Sequence, residues 1–85
     1  MQPPRNIVGP VVRKLREKNG LTQAELATKL NLIGWDVSRD TLAKIEAQIR
    51  CVSDFEIPVL AISVGIDPFE LLRLSLARTP KRTRC

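Results

Sequence analysis

Residues 38–48, reading SRDTLAKIEAQ, bring hydrogen-bonding side chains and small ones onto a single helical face. Arg39 and Lys44 donate, Asp40 accepts, Thr41 does both, and Ala43 and Ala47 leave room between them. At 100° per residue, Leu42, Ile45 and Ile49 fall within about 60° of one another, while Arg39, Asp40, Ala43, Lys44 and Ala47 gather on the other side. One face can dock on a core, and the other is short, polar and uncrowded. Such a surface suits the major groove of double-stranded DNA, where Arg or Lys donates to guanine O6 and N7 and Asp accepts from the cytosine amino group. Asp40 close to phosphates is costly unless paired. Two roles are therefore open to it: reading a base, or orienting Arg39.

Other chemistries find little to work with. Cys51 and Cys85 are the only cysteines and histidine is absent, so one copy cannot assemble a zinc site from the usual four Cys or His ligands, nor a Ser-His or Cys-His nucleophile pair. Both thiols are expected to be reduced and non-catalytic. The nine acidic residues sit mostly at helix starts or on mixed-charge faces, so neither an enzyme nor a cofactor site is expected. No apolar run approaches the ~18 residues of a membrane span, and the N-terminus lacks a signal-peptide core, which makes the cytoplasm the expected compartment.

The net charge of +5 is unevenly spread. Residues 1–50 hold nine Lys/Arg against five Asp/Glu, residues 51–77 hold one against four, and residues 78–85 hold four against none. A basic front turned toward phosphates and an acidic back turned away would produce this polarity.

The elements that must position these residues are short helices. There is no strand-like alternation, and 85 residues suffice for one core without a second folded module. Residues 1–6 hold two prolines and no periodic pattern and are read as a flexible arm. The first helix is predicted from Ile7 or Val8 to Lys18, with Val8, Val11, Val12 and Leu15 inward, Pro10 in the first turn and Gly20 as a left-handed cap. Thr22-Gln23-Ala24-Glu25 is a capping box and Leu21 with Leu26 a hydrophobic staple, opening a second helix that continues to Ile33 before Gly34. Ser38 caps the third helix, predicted to reach about Gln48. Ser53-Asp54-Phe55-Glu56 suggests a fourth, to about Val64, although Pro58 demands either a distorted first turn or a later start. Asp67-Pro68-Phe69-Glu70 opens a fifth, to about Ala77. The fold class is all-α: a compact five-helix bundle over residues 7–77, followed by a basic tail over 78–85 that is expected to be disordered.

Three blocks, VVRKLREKNGLTQAELATKL, VSRDTLAKIE and VGIDPFELL, follow in this order from residue 11 to residue 72. Together they resemble the phage-repressor (Cro/XRE-type) helix-turn-helix family, a five-helix, lambda-repressor-like DNA-binding domain, over about three quarters of the chain. In such a motif one helix crosses the DNA backbone and the next enters the major groove, so the two pack closely; Ala27 is small enough to allow this. The resemblance implies that Arg39, Asp40 and Lys44, with Thr41 and Ala43 nearby, face the bases. It implies phosphate contacts for Gln23, Ser38, Gln48, Arg50 and Ser53, with Gln23 also able to brace the recognition helix. Arg16 and Glu46 are implied to form a partly buried, structural salt bridge. The departure from the family is Asn31 to Trp35, which lengthens the turn before Ser38; Trp35 is read as covering the core edge, with a partner surface or the DNA backbone as its other possible neighbours.

The function expected is sequence-specific recognition of double-stranded DNA by a transcriptional regulator. A homodimer on a palindromic operator is expected from the family, through the fifth helix and its Leu71, Leu72, Leu74 and Leu76. The competing expectation is a protein-interaction module, such as an antitoxin that masks a partner protein and binds DNA secondarily.

Overall fold

The computed structural model describes residues 3–78, which form α1 (Gly9–Lys18), α2 (Gln23–Ile33), α3 (Arg39–Glu46), α4 (Glu56–Ser63) and α5 (Pro68–Arg78). No strand occurs among the described residues. Hydrogen bonds local in sequence explain most of the starts. At α2 the Thr22 hydroxyl accepts from the Glu25 N–H at 3.1 Å, and the Glu25 carboxylate accepts from the Thr22 N–H at 2.9 Å, closing the box. These bonds, the Thr22 backbone donor foremost, hold the Glu25 carboxyl below its ordinary range. With a lowered folded pKa, its contribution is present above the ordinary carboxylate range and fades as pH falls through the lowered value. Thr22→Ala is expected to cost about 1 kcal/mol, seen as a lower urea midpoint at unchanged slope.

Ser38 caps α3 by accepting from the Thr41 N–H at 3.1 Å. The later of the two starts allowed for the fourth helix is the one adopted: α4 begins at Glu56, which puts Pro58 in its first turn, where no amide is needed. Only half of the expected box forms, with the Glu56 carboxylate accepting from the Ser53 N–H at 2.9 Å. At α5, Asp67 Oδ1 accepts from the Phe69 N–H at 2.8 Å and Pro68 opens the helix.

The apolar stripes meet in one core containing Val8, Val12, Leu26, Leu30, Leu42, Ile45, Leu60 and Leu71, all essentially inaccessible. Helix α2 packs on α3 and α4, α1 on α3 and α5, and α4 on α5. The long turn is organised as well: α2 runs to Ile33, Gly34 takes a left-handed φ of 119°, and Asn31 Nδ2 donates to the carbonyls of Trp35 (2.9 Å) and Val37 (3.0 Å). Trp35 is half-buried and packs at the edge of the core.

Four expectations are corrected. Helix α3 stops at Glu46, because Gln48 adopts a left-handed φ of 63°. The chain therefore leaves the helical register, and Ile49, assigned to the inward face, is 62% exposed. Asn6, assigned to the flexible arm, is buried: its Nδ2 donates to the carbonyls of Ile45 (3.0 Å) and Arg50 (2.8 Å), and its Oδ1 accepts from the Gly9 N–H at 2.8 Å. The arm is pinned there because α1, whose own N-cap residue Val8 offers no polar side chain, takes its first hydrogen bond from Asn6. Finally, Cys51 is exposed and disulfide-bonded, not a reduced thiol. Cys85 and the tail beyond Arg78 lie outside the described residues.

Candidate nucleic-acid interface

Helix α3 turns Leu42 and Ile45 into the core, and this rotation leaves Arg39, Asp40 and Lys44 exposed. Ala43 and Thr41 are half-buried between the two faces. The Ser38 hydroxyl also donates to Thr41 Oγ1 at 3.0 Å, so both hydroxyls are already oriented in the free protein. Arg39 Nη1 stands 3.6 Å from Asp40 Oδ1, with the side chains 63% and 86% exposed. An exposed pair of this kind contributes little to stability.

Behind that face the ends of three helices meet at one carboxylate. Glu46, the last residue of α3, accepts from Arg16 Nε at 2.7 Å and Nη2 at 3.0 Å, a two-pronged contact with the side chains only 10% and 3% exposed. Arg16 Nη1 also donates to the Leu21 carbonyl at 2.8 Å. The Glu46 bond raises the Arg16 pKa above its ordinary value in spite of desolvation, so the guanidinium stays charged at any practical pH. Gln23, in the first turn of α2, donates from Nε2 to Glu46 Oε1 at 3.0 Å. Gln23 is thus tied to the end of α3 while remaining half-exposed beside the free amides of a helix N-terminus, where an anion is favoured.

The loop after α3 holds Gln48, Arg50 and Ser53. Gln48 Nε2 donates to the Asn6 carbonyl at 2.9 Å, and the Gln48 carbonyl accepts from the Arg5 N–H at 2.9 Å. Arg50 is engaged with Glu56 and Trp35, and Ser53 is exposed with its N–H on Glu56. The residues expected at the DNA therefore divide. Arg39, Asp40 and Lys44 share an exposed helix, Gln23 is joined to that helix through Glu46, and Gln48 and Arg50 also hold the loop to the rest of the molecule. Sequence reasoning missed Asn6 and Gly9, and gave Glu56 a capping role without its pair to Arg50. An Asn three residues before a helical Gly is a turn signal that could have marked Asn6; nothing local marks the approach of Gly9 to α3 or the choice of Arg50 as the partner of Glu56. No group of three or more His, Cys, Asp or Glu placed to hold a metal occurs among the described residues.

A helix-turn-helix family model matches residues 12–71, which contain α2, α3, α4 and most of α1. The chain belongs to the Cro/C1-type helix-turn-helix family. Within it, α2 and α3 are the two helices of the motif and α3 is the recognition helix. Two crystal structures of the clp gene regulator ClgR from Corynebacterium glutamicum share the fold. One superposes with a TM-score of 0.76 at 22% identity, covering 92% of this chain and 95% of that one. The other gives 0.73 at 23% identity, covering 86% and 72%. The chain matches none of the curated protein sequences. No helix among the described residues is long and apolar enough to cross a membrane.

Proposed function

We propose that this protein is a sequence-specific, double-stranded DNA-binding transcriptional regulator of the phage-repressor type, acting in the cytoplasm with α3 in the major groove. The observation that carries this reading is the exposed row Arg39, Asp40 and Lys44 on a helix whose far end is tied through Glu46 to Gln23 at the start of α2. Bases and backbone are then addressed by one rigid unit. Arg39 reads a guanine edge, with Asp40 steadying it or accepting from a neighbouring cytosine; Lys44 and Thr41 address adjacent base pairs, and Ala43 packs against a thymine methyl. Gln23 and Ser38 hold one phosphate strand, and Gln48, Arg50 and Ser53 the other flank.

Selection of bound sequences from a random duplex pool, followed by titration at several salt concentrations, tests the proposal. An enriched motif is expected, with a log–log salt slope of about −0.9 per neutralised phosphate. Equal affinity for every duplex would defeat it. Arg39→Ala is expected to relax preference at one base position by ~1–3 kcal/mol, whereas Gln23→Ala weakens all sequences alike.

A homodimer on a palindromic operator fits this reading, because one small module offers few contacts. The surface best suited to it differs from the leucines expected for it. Leu71 is in the core, while Phe69, Leu72 and Leu76, spaced three and four residues apart, form the outer stripe of α5, with the Glu70–Arg73 ion pair at its edge. The same stripe favours a second reading, a partner protein masked in the manner of an antitoxin's target. Sedimentation separates the two: a monomer with no operator preference would support the partner-masking reading.

A further inference from the structure

The loop that follows the recognition helix is held by Trp35, a residue of the lengthened turn before it. Arg50 Cζ lies 5.9 Å from the centre of the Trp35 ring, within the range of a cation–π contact. Its far end is clamped by Glu56, with Nη1 donating to Oε1 at 3.2 Å and Nη2 to Oε2 at 3.3 Å, and Nη1 also donates to the Cys51 carbonyl at 3.0 Å. Glu56 is itself buried, and its Oε1 accepts from the Ser53 N–H. Asn6 secures the backbone as well, its Nδ2 donating to the Arg50 carbonyl. Three of the five guanidinium N–H donors are therefore committed. Among the described residues none bonds to the remaining edge, formed by Nε and the second Nη2 hydrogen, and the side chain keeps 35% of its surface exposed. That edge is a two-pronged donor of the geometry that matches a phosphate.

We propose that Trp35 and Glu56 are positioning residues for DNA binding, aligning the open edge of Arg50 so that it grips a backbone phosphate. The inference rests on the DNA-binding reading above and gives the extra residues Asn31–Trp35 a purpose. Asn31 shapes the turn through the Trp35 and Val37 carbonyls, the turn delivers the ring, and the ring supports the guanidinium. An arginine so held loses little further rotamer freedom on binding, a loss that an unrestrained arginine bears in full. Glu56 cancels part of the charge, so the benefit lies in direction rather than in long-range attraction.

The test compares the parent protein with Trp35→Ala, Trp35→Phe, Trp35→Leu, Arg50→Ala and the Trp35→Ala/Arg50→Ala double variant on the selected operator. Circular dichroism confirms the helical fold of each. Trp35→Ala is expected to bind on the order of tenfold more weakly, the value of one charge-assisted hydrogen-bonded contact, with a salt slope shallower by about 0.9 for each bound copy. Trp35→Phe, which keeps a π face, restores both readings. Trp35→Leu fills the core edge without a π face, so it behaves like Trp35→Ala in DNA binding and serves in its place should the alanine variant not fold. The double variant binds no more weakly than Arg50→Ala. An unchanged salt slope in Trp35→Ala and Trp35→Leu, or losses that add in the double variant, would overturn the proposal while leaving the DNA-binding reading intact. Failure of the parent to enrich any operator defeats that reading itself, and this proposal with it.

Discussion

Glu46→Ala is expected to lower the stability of the domain by roughly 3–5 kcal/mol, more than any change on the exposed face of α3. The substitution leaves the Arg16 guanidinium, whose side chain is only 10% exposed, with the Leu21 carbonyl as its remaining partner. It also releases the Gln23 amide. For a domain of this size each kcal/mol moves the melting midpoint by about 4–8 °C, so the variant should melt at least ~12 °C below the parent. A midpoint within about 4 °C of the parent would show the pair to be dispensable. The double variant Arg16→Met/Glu46→Leu should lose much less than the two single changes combined, because removing both charges leaves none buried alone. The remaining loss reports what the carboxylate does for Gln23, and operator affinity should fall in that variant even where its stability recovers.

Gly9→Ala carries the second large effect, and its sign separates two ways of reading the residue. Helix propensity alone favours alanine over glycine by about 1 kcal/mol inside a helix, and the backbone here adopts no left-handed φ that would require glycine. By that argument the change stabilises. The packing argues the reverse: a Cβ on Gly9 would stand 2.2 Å from the Ile45 carbonyl oxygen, 3.0 Å from Asn6 Oδ1 and 3.1 Å from the Glu46 carbonyl oxygen. The nearest atom is backbone in the recognition helix, so α1 and α3 must separate. Overpacking of this kind costs typically 1–3 kcal/mol, and separation would also strain the Asn6 bonds to Gly9 and Ile45. A loss of at least ~2 kcal/mol is expected, read as a lower urea midpoint; any gain in stability would refute the close approach. Since the displaced helix is α3, operator affinity should fall with it.

The two substitutions also show where function and fold share atoms. Gly9, Asn6 and Arg16 meet α3 at its C-terminal end, around Ile45 and Glu46, while Arg39 and Asp40 in its first turn and Lys44 in its last are exposed on the outer side. The helix is anchored through its inner side and its C-terminal end and presents the outer side. Changes at Arg39 or Lys44 are therefore expected to alter DNA preference with little change in melting, and changes at Glu46 or Gly9 to alter both.

Much of the fold was legible because its signals are local. Thr22 and Glu25 are three residues apart, Ser38 and Thr41 likewise, and Asp67, Pro68 and Phe69 are consecutive, so each helix start is decided by bonds within a single turn. The 3.6-residue period then settles which face of each helix is apolar, and the composition by itself excludes a zinc site of four Cys or His ligands within one copy. The ion pair of Arg16 and Glu46, 30 residues apart, is implied only by the family resemblance. What the tertiary structure alone decided is what happens where segments distant in the chain approach one another. Gln48 turns left-handed where the Arg5 N–H and the Asn6 carbonyl meet it, which sends Ile49 outward against its own periodicity. Gly9 is required by a carbonyl 36 residues away in the chain, and Arg50 is aimed by a ring and a carboxylate from two other elements. Capping and periodicity act within a turn or two of helix and leave their mark on neighbouring residue types. Close approach depends on where another segment's backbone arrives, and no residue type near Gly9 or Arg50 records that.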